Sequence, residues 1–329
     1  MMKSNTEIKP SVTLDSSRRW LTQALLRAAL VVICVVTAVF FLIRIVPGDP
    51  AKMILGEYST PEAIASMHHT LGLDLPIGDQ YLRFVRNLVT HGDTGASIIS
   101  GTSARELIAD RAPVTLLLIV MASFLAILLS LLLAMLAATN KDKLLDHLIR
   151  IFPTITLGMP VFWVGLLLIL LFGVRLRWFP VGGVGEGWTG MLHSLILPAI
   201  TVAFTQIPTL VRSLRAQMLE VLESDFLVTL KAAGIPSRVI LLRHVLRNSA
   251  LPTLMLLGVN ISYLIGGTLV VEQVFGIKGI GSLLFSSISK RDFPVIQGIA
   301  LYCAIAVVII SLLVEMASWW LDPRTKGKQ

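Results

Sequence analysis

Six runs free of any charged side chain dominate this chain, at residues 28–43, 113–139, 151–174, 194–211, 248–271 and 295–314. About 20 apolar residues of helix cross the roughly 30 Å of bilayer hydrocarbon, and most of the runs reach that length. Inside hydrocarbon every backbone N–H and C=O must find a partner within the protein, which a helix provides by itself. The runs therefore predict an all-α, polytopic membrane protein with six transmembrane helices. The first run is the shortest, but Arg27 and Arg44 flank it, and their aliphatic stems extend its apolar length at both ends. It ends in Ile43-Arg44-Ile45-Val46, without a small-x-small cleavage site, so it reads as a span and not as a removable signal peptide. A chain 55% hydrophobic and only 15% charged agrees with this class.

Orientation follows from the basic residues. Segments 1–27, 140–150, 212–250 and 322–329 share one side of the membrane and hold 17 of the 28 lysines and arginines. The positive-inside rule puts that side, and both termini, in the cytoplasm. The net charge of +8 is explained by this topology and by anionic lipid heads, and no nucleic-acid partner is inferred from it. Cys34 and Cys303 fall within runs and read as small apolar fillers, not as a disulfide or a metal site.

Between tails at 1–27 and 324–329, the membrane domain at 28–323 carries two inserts. The outward one, 47–112, holds Thr60-Pro61-Glu62, an N-cap, first-turn proline and acidic first turn that start a helix towards Leu71. A second helix is expected to present Tyr81, Phe84, Val85 and Leu88 on one face. Adjacent histidines such as His68 and His69 diverge by about 100° on a helix, so they read as structural or solvated, not as metal ligands.

The inward insert, 212–250, continues the fourth run as helix to Leu222, with Arg212 and Arg215 near the lipid heads. Ser224 and Asp225 then cap a new short helix, "FLVTLKAA", which Gly234 closes in left-handed conformation before Pro236 opens the next helix. A helix of about eight residues is unstable alone in water and must dock. Phe226, Leu227 and Leu230 supply the apolar surface, and either a cytoplasmic partner or the lipid surface can receive it.

The segment "LVTLKAAGIPSRVILLRHVLRNSALP" resembles the EAA loop of permease subunits in ABC importers of the dipeptide, oligopeptide and nickel branch. "RIVPGDPAKMILGE", "HGDTGASIISG", "LGMPVFWVGLLLILLF", "LIGGTLVVEQVFGIKGIG" and "RDFPVIQG" resemble further segments of that family in the same order, from about Arg18 to Pro323. The resemblance implies that the short helix is a coupling helix seated in a groove of an ATPase subunit, with Phe226, Thr229, Leu230, Lys231, Ala232, Ala233 and Gly234 forming the contact. This chain departs from the family pattern at Val228 and Leu230. The resemblance also implies a homologous second permease subunit, two ATP-binding subunits that hold ATP and magnesium, an extracytoplasmic solute-binding protein and a bacterial inner-membrane location. No catalytic residue, metal site or cofactor is expected on this chain itself. "GIKGIGS" has the wrong spacing for a phosphate loop.

Polar groups in the runs face a cavity or another helix, which makes Gln206, Asn260, Ser262 and Tyr263 candidates for the translocation path, with interhelical hydrogen bonding as the alternative. Glu315, close to Trp319 and Trp320, reads as snorkelling at the interface. Pro160, Pro198 and Pro208 are expected to bend the third and fourth spans. The expected cargo is di- or oligopeptide, with nickel or a metal chelate as the alternative because the 175–193 loop is short; His193 there lacks ligand spacing. An ion-coupled carrier lacks its mid-span ionisable residues, an intramembrane hydrolase lacks its motif, and a scaffold subunit remains the more remote reading.

Overall fold

The computed structural model describes residues 14–45, 49–56, 60–156 and 158–321. Among these residues all regular secondary structure is helical, with one isolated antiparallel bridge between Ala96 and Ser103. The long helices are α1 (Leu14–Ile45), α5 (Ala104–Thr139), α8 (Gly187–Leu222), α11 (Leu246–Val274) and α13 (Phe293–Leu321). Four of them, α1, α5, α8 and α13, are long and apolar enough to cross a membrane. The fifth predicted run lies on α11, part of whose side chains fall outside the described residues.

The third predicted span is not one rod. It consists of α6 (Leu144–Thr156), α7 (Val161–Leu168) and a π-helical continuation, Ile169–Arg175, and the two helical parts are bent by 110°. Pro160 sits at the N-cap of α7, where its missing N–H and its restriction of the preceding residue stop α6 from running through. By contrast α8 runs continuously through Pro198 and Pro208, so neither proline breaks the helix.

At 36 residues each, α5 and α8 are roughly 54 Å long at 1.5 Å per residue, far more than hydrocarbon requires. They pack along each other through α5 residues Ala122, Ala126, Ser130, Ala134 and Ala138, all buried and spaced by four. That spacing stacks small side chains on one face, so the backbones approach closely, as small-residue helix pairs in membranes do. Leucines such as Leu128, Leu129, Leu132 and Leu136 remain exposed on other faces of α5. Three apolar clusters follow the seam. The outer one joins Leu118 and Ala122 to Leu195, Val202, Leu264 and Phe275, the middle one joins Ala126 to Ile149, Ala203 and Leu210, and the inner one joins Ala134 to Leu214, Met218, Ile240 and Val245.

The 47–112 insert holds α2 (Pro50–Leu55), α3 (Pro61–Leu71) and α4 (Ile77–His91). Thr60 caps α3 by accepting from the Ala63 N–H at 3.2 Å, and Pro61 occupies its first turn, as the sequence predicts. The predicted apolar face of α4 docks on α1: the Tyr81 and Phe84 rings lie 5.1 and 5.6 Å from Phe40, and the Tyr81 and Thr37 hydroxyls share a hydrogen bond of 2.9 Å. His68 is structural, bonded through Nε2 to Asp49 at 2.8 Å. That bond is the main reason the half-buried Asp49 carboxyl lies below its ordinary pKa. At the other end of α1, Arg27 reaches Glu315 at 3.9 Å. Cys34 is exposed, so it does not fill a core, whereas Cys303 is partly buried. Trp319 and Trp320 have side chains outside the described residues.

Candidate functional site

Beyond α8 the chain turns at Ser224 into α9 (Asp225–Ala232). Ser224 occupies the N-cap position, but its hydroxyl donates back to the Val221 carbonyl and caps nothing. The far end closes as predicted. Gly234 is left-handed at φ +75°, its N–H bonds the Lys231 carbonyl at 3.0 Å, and the Ile235 N–H bonds the Leu230 carbonyl at 3.2 Å. This pair of bonds is the Schellman closure.

The eight-residue helix is held to its own chain by one side. Leu227 is fully buried in the inner cluster with Leu214, Met218, Ile240 and Val245, so it is not part of any outward docking surface. Leu230 is half-buried against the same cluster. Phe226, Thr229, Lys231, Ala232, Ala233 and Gly234 remain exposed, together with Val228. The chain then returns through α10 (Ser237–Val239), a π-helical stretch at Ile240–Val245 and α11. No proline or glycine marks that π-helical stretch, and nothing in its sequence predicts it.

Behind α9, α8 is tied to the 140–146 turn. The Arg215 guanidinium donates to both Asp146 carboxylate oxygens, Nε and Nη2 each at 2.6 Å, and the Asp142 N–H adds a bond of 3.1 Å to Oδ2. Asp146 is fully buried. Hydrogen bonding from Arg215 outweighs burial and holds its carboxyl below the ordinary aspartate value. Arg215, expected near lipid heads, is thus neutralised inside the protein. Lys141 also pairs with Glu223 at the start of the turn into α9.

The opposite end of the helices, around Glu272 and Asp292, has its own polar ties, which sequence reasoning missed. Glu272, fully buried near the end of α11, accepts from the Thr115 hydroxyl at 2.6 Å and from the Ser282 N–H at 2.9 Å. Thr115 in turn accepts from the Ile280 N–H at 2.8 Å, so α5, α11 and α12 (Ile280–Ser289) meet at one carboxylate. Gly279 and Gly281 make room for it: a Cβ at Gly279 would stand 2.3 Å from Glu272 Oε1, and one at Gly281 would stand 2.5 Å from the Leu269 Cα. Asp292 similarly binds the Ser97 hydroxyl and the Ile98 N–H, the latter at 3.0 Å, while the Thr94 hydroxyl donates to the Pro294 carbonyl at 2.7 Å. Segments "HGDTGASIISG" and "RDFPVIQG", some 200 positions apart, are therefore one structure. The only local feature the two segments share is an aspartate in a short polar stretch, Asp93 and Asp292.

Gln206 is buried and donates from Nε2 to the Asn260 carbonyl at 3.2 Å, an interhelical bond between α8 and α11. Asn260 is half-buried, Tyr263 is 76% exposed, and the Ser262 side chain lies outside the described residues. Among the described residues no three His, Cys, Asp or Glu side chains converge to hold a metal ion. His193 is engaged with the Trp178 carbonyl at 3.1 Å.

Residues 126–327 match the family model described as binding-protein-dependent transport system inner membrane component, and residues 18–119 match the model of its N-terminal part. The chain is 34% identical to the probable D,D-dipeptide transport system permease protein DdpB of Escherichia coli, over 89% of this chain and 92% of that one. It is 36% identical to the oligopeptide transport system permease protein AppB of Bacillus subtilis, over 87% and 92%. The probable peptide ABC transporter permease protein y4tP of Sinorhizobium fredii is 34% identical over 88% and 93%. In fold, the chain is similar to the MetNI methionine ABC transporter solved in inward-facing conformations, with a TM-score of 0.52 at 13% identity, over 68% of this chain and 98% of that one.

Proposed function

The chain belongs to the family of binding-protein-dependent transport system inner membrane components, and on that premise we propose that it carries di- or oligopeptides through the bacterial inner membrane as one permease subunit of an ATP-driven importer. It is a multi-pass membrane permease, not an enzyme in its own right. The observation that supports peptide as cargo is the likeness to three peptide permeases at 34–36% identity over nearly the whole length of each.

In this reading both termini are cytoplasmic, and α9 is the contact for a separate ATPase subunit that holds ATP and magnesium. Phe226, Val228, Thr229, Lys231, Ala232 and Ala233 form its exposed face, with Gly234 fixing the turn and Leu230 bridging to the body. A second permease completes the path, and a solute-binding protein delivers cargo to the outer face built from 47–112. Transport is by alternating access, driven by the different affinities of ATP and cargo for the inward-open and outward-open states. The burial of Leu227 against Met218 and Leu214 supports a lever role for α9, because a push on the helix bears directly on α8.

The test is a pull-down from membranes expressing the neighbouring transport genes, wild type beside Phe226→Asp/Val228→Asp. Both side chains are exposed, so the variant leaves the inner cluster intact. Recovery of the ATPase should fall by at least about tenfold, the scale of losing an interface hot spot. Undiminished recovery would remove α9 as the contact. A second expected result concerns the turn. Gly234→Val forces a β-branched residue into left-handed backbone at a cost of about 1–2 kcal/mol, so uptake of a labelled dipeptide should drop while membrane insertion persists. Normal uptake by a stably inserted Gly234→Val chain would argue against a coupling role for this turn.

A further inference from the structure

Between α6 and α8, at their inner ends, lies a cavity of about 320 Å3 lined in part by Arg150, Arg212, Arg215 and Thr154. Arg150 immediately precedes the third apolar run and Arg212 immediately follows the fourth, so both lie at one boundary between apolar span and polar loop. Of the three cations only Arg215 is neutralised, by the bidentate bond to Asp146. That carboxylate accepts from Arg215 and the Asp142 N–H, and among the described residues neither Arg150 nor Arg212 makes a direct ion-pair contact, although Arg150 is near enough to help hold the Asp146 carboxyl down. Both residues are exposed, and with three arginines against one carboxylate the cavity carries an excess of positive charge.

The remaining wall is apolar, including Ile149 and Val211. Pro153 and Ala216 complete this apolar part of the lining. A pair of guanidinium groups suits the oxygens of a phosphate group, and the apolar wall of the same pocket suits the start of acyl chains. A free phosphate would use the first feature and leave the second unused. We propose that this cavity is a binding site for the headgroup phosphate of an anionic phospholipid, held by Arg150 and Arg212. Its assignment to the cytoplasmic leaflet rests on the orientation proposed above; the binding itself does not.

The experiment uses the transporter purified with its co-expressed subunits in nanodiscs containing phosphatidylglycerol or only phosphatidylcholine. After exchange into detergent, retained phosphatidylglycerol is counted by native mass spectrometry. Wild type is expected to retain it, and Arg150→Gln/Arg212→Gln to weaken retention by about thirtyfold, since each cation near a membrane surface contributes roughly a fivefold attraction. Arg150→Lys/Arg212→Lys, which keeps the charges, should retain most of it, and this second variant separates lost charge from lost folding. Equal retention by wild type and the glutamine variant would overturn the site. So would displacement by millimolar inorganic phosphate alone, which would assign the cavity to a soluble anion. Labelling of Arg150→Cys from either side of intact cells tests the orientation separately, so a wrong leaflet and an absent site give different results.

Discussion

Asp146→Ala is expected to destabilise the folded chain by about 3–5 kcal/mol, the range for removing one member of a buried ion pair. The loss is large because the Arg215 side chain, only 17% exposed, is left charged without its acceptor, and the Asp142 N–H loses its partner as well. Arg215→Ala should cost a similar amount by stranding the carboxylate. The double variant Asp146→Ala/Arg215→Ala should cost clearly less than the two single losses combined, since it strands neither charge. Thermal unfolding of the detergent-purified protein measures all three, and strictly additive losses would mean the two groups are not coupled. The pair also sets a pH limit. An unfolded aspartate titrates near about 3.9, and the folded Asp146 carboxyl titrates lower. Its contribution is therefore complete above that value and disappears as pH falls through the folded pKa. The Asp146→Ala protein should lack this part of the acid sensitivity.

The second large effect is expected at the opposite end of the helices, around Glu272. Glu272→Ala leaves the Thr115 hydroxyl and the Ser282 N–H without their acceptor and opens a cavity beside Gly279 and Gly281. Each stranded buried donor costs about 1–3 kcal/mol, so a total on the order of 4 kcal/mol is expected. Gly281→Ala approaches the same site from the other side, by pressing a methyl group against the Leu269 backbone. Overpacking of this kind typically costs about 1–3 kcal/mol. Hydrogen exchange on the 275–292 segment reads the consequence directly: both variants should exchange faster there than wild type, while α9 keeps its wild-type rate. Unchanged exchange in Glu272→Ala would show that the carboxylate does not hold the outer turn.

How much of this could be read from the residues depended on range. Gly234, Thr60 and the face of α4 were legible because each is decided by neighbours within one or two helical turns. The polar ties were not. Asp146 and Arg215 are 69 positions apart, Thr115 and Glu272 are 157 apart, and nothing local distinguishes these carboxyls from solvated ones. Leu227 was misread for the same reason: on an isolated short helix it belongs to an apolar face, and only the tertiary position of Met218 turns that face inward. The second apolar run announces itself by its leucines, yet Leu116, Leu128, Leu129, Leu132 and Leu136 are exposed, and much of the close packing is carried by the alanines and serine between them.

That seam has a mechanical consequence. Alanine has no side-chain rotamers to exchange and serine is nearly as compact, so the contact from Ala122 to Ala138 has little internal play with which to absorb displacement. Two rods joined without slack over four turns behave as a single stiff strut. Whatever force reaches its inner tip arrives at the opposite end nearly undiminished, and the yielding elements of the molecule must then be sought elsewhere, at the elbow before Pro160 and in the two wide-turn stretches at 169–175 and 240–245.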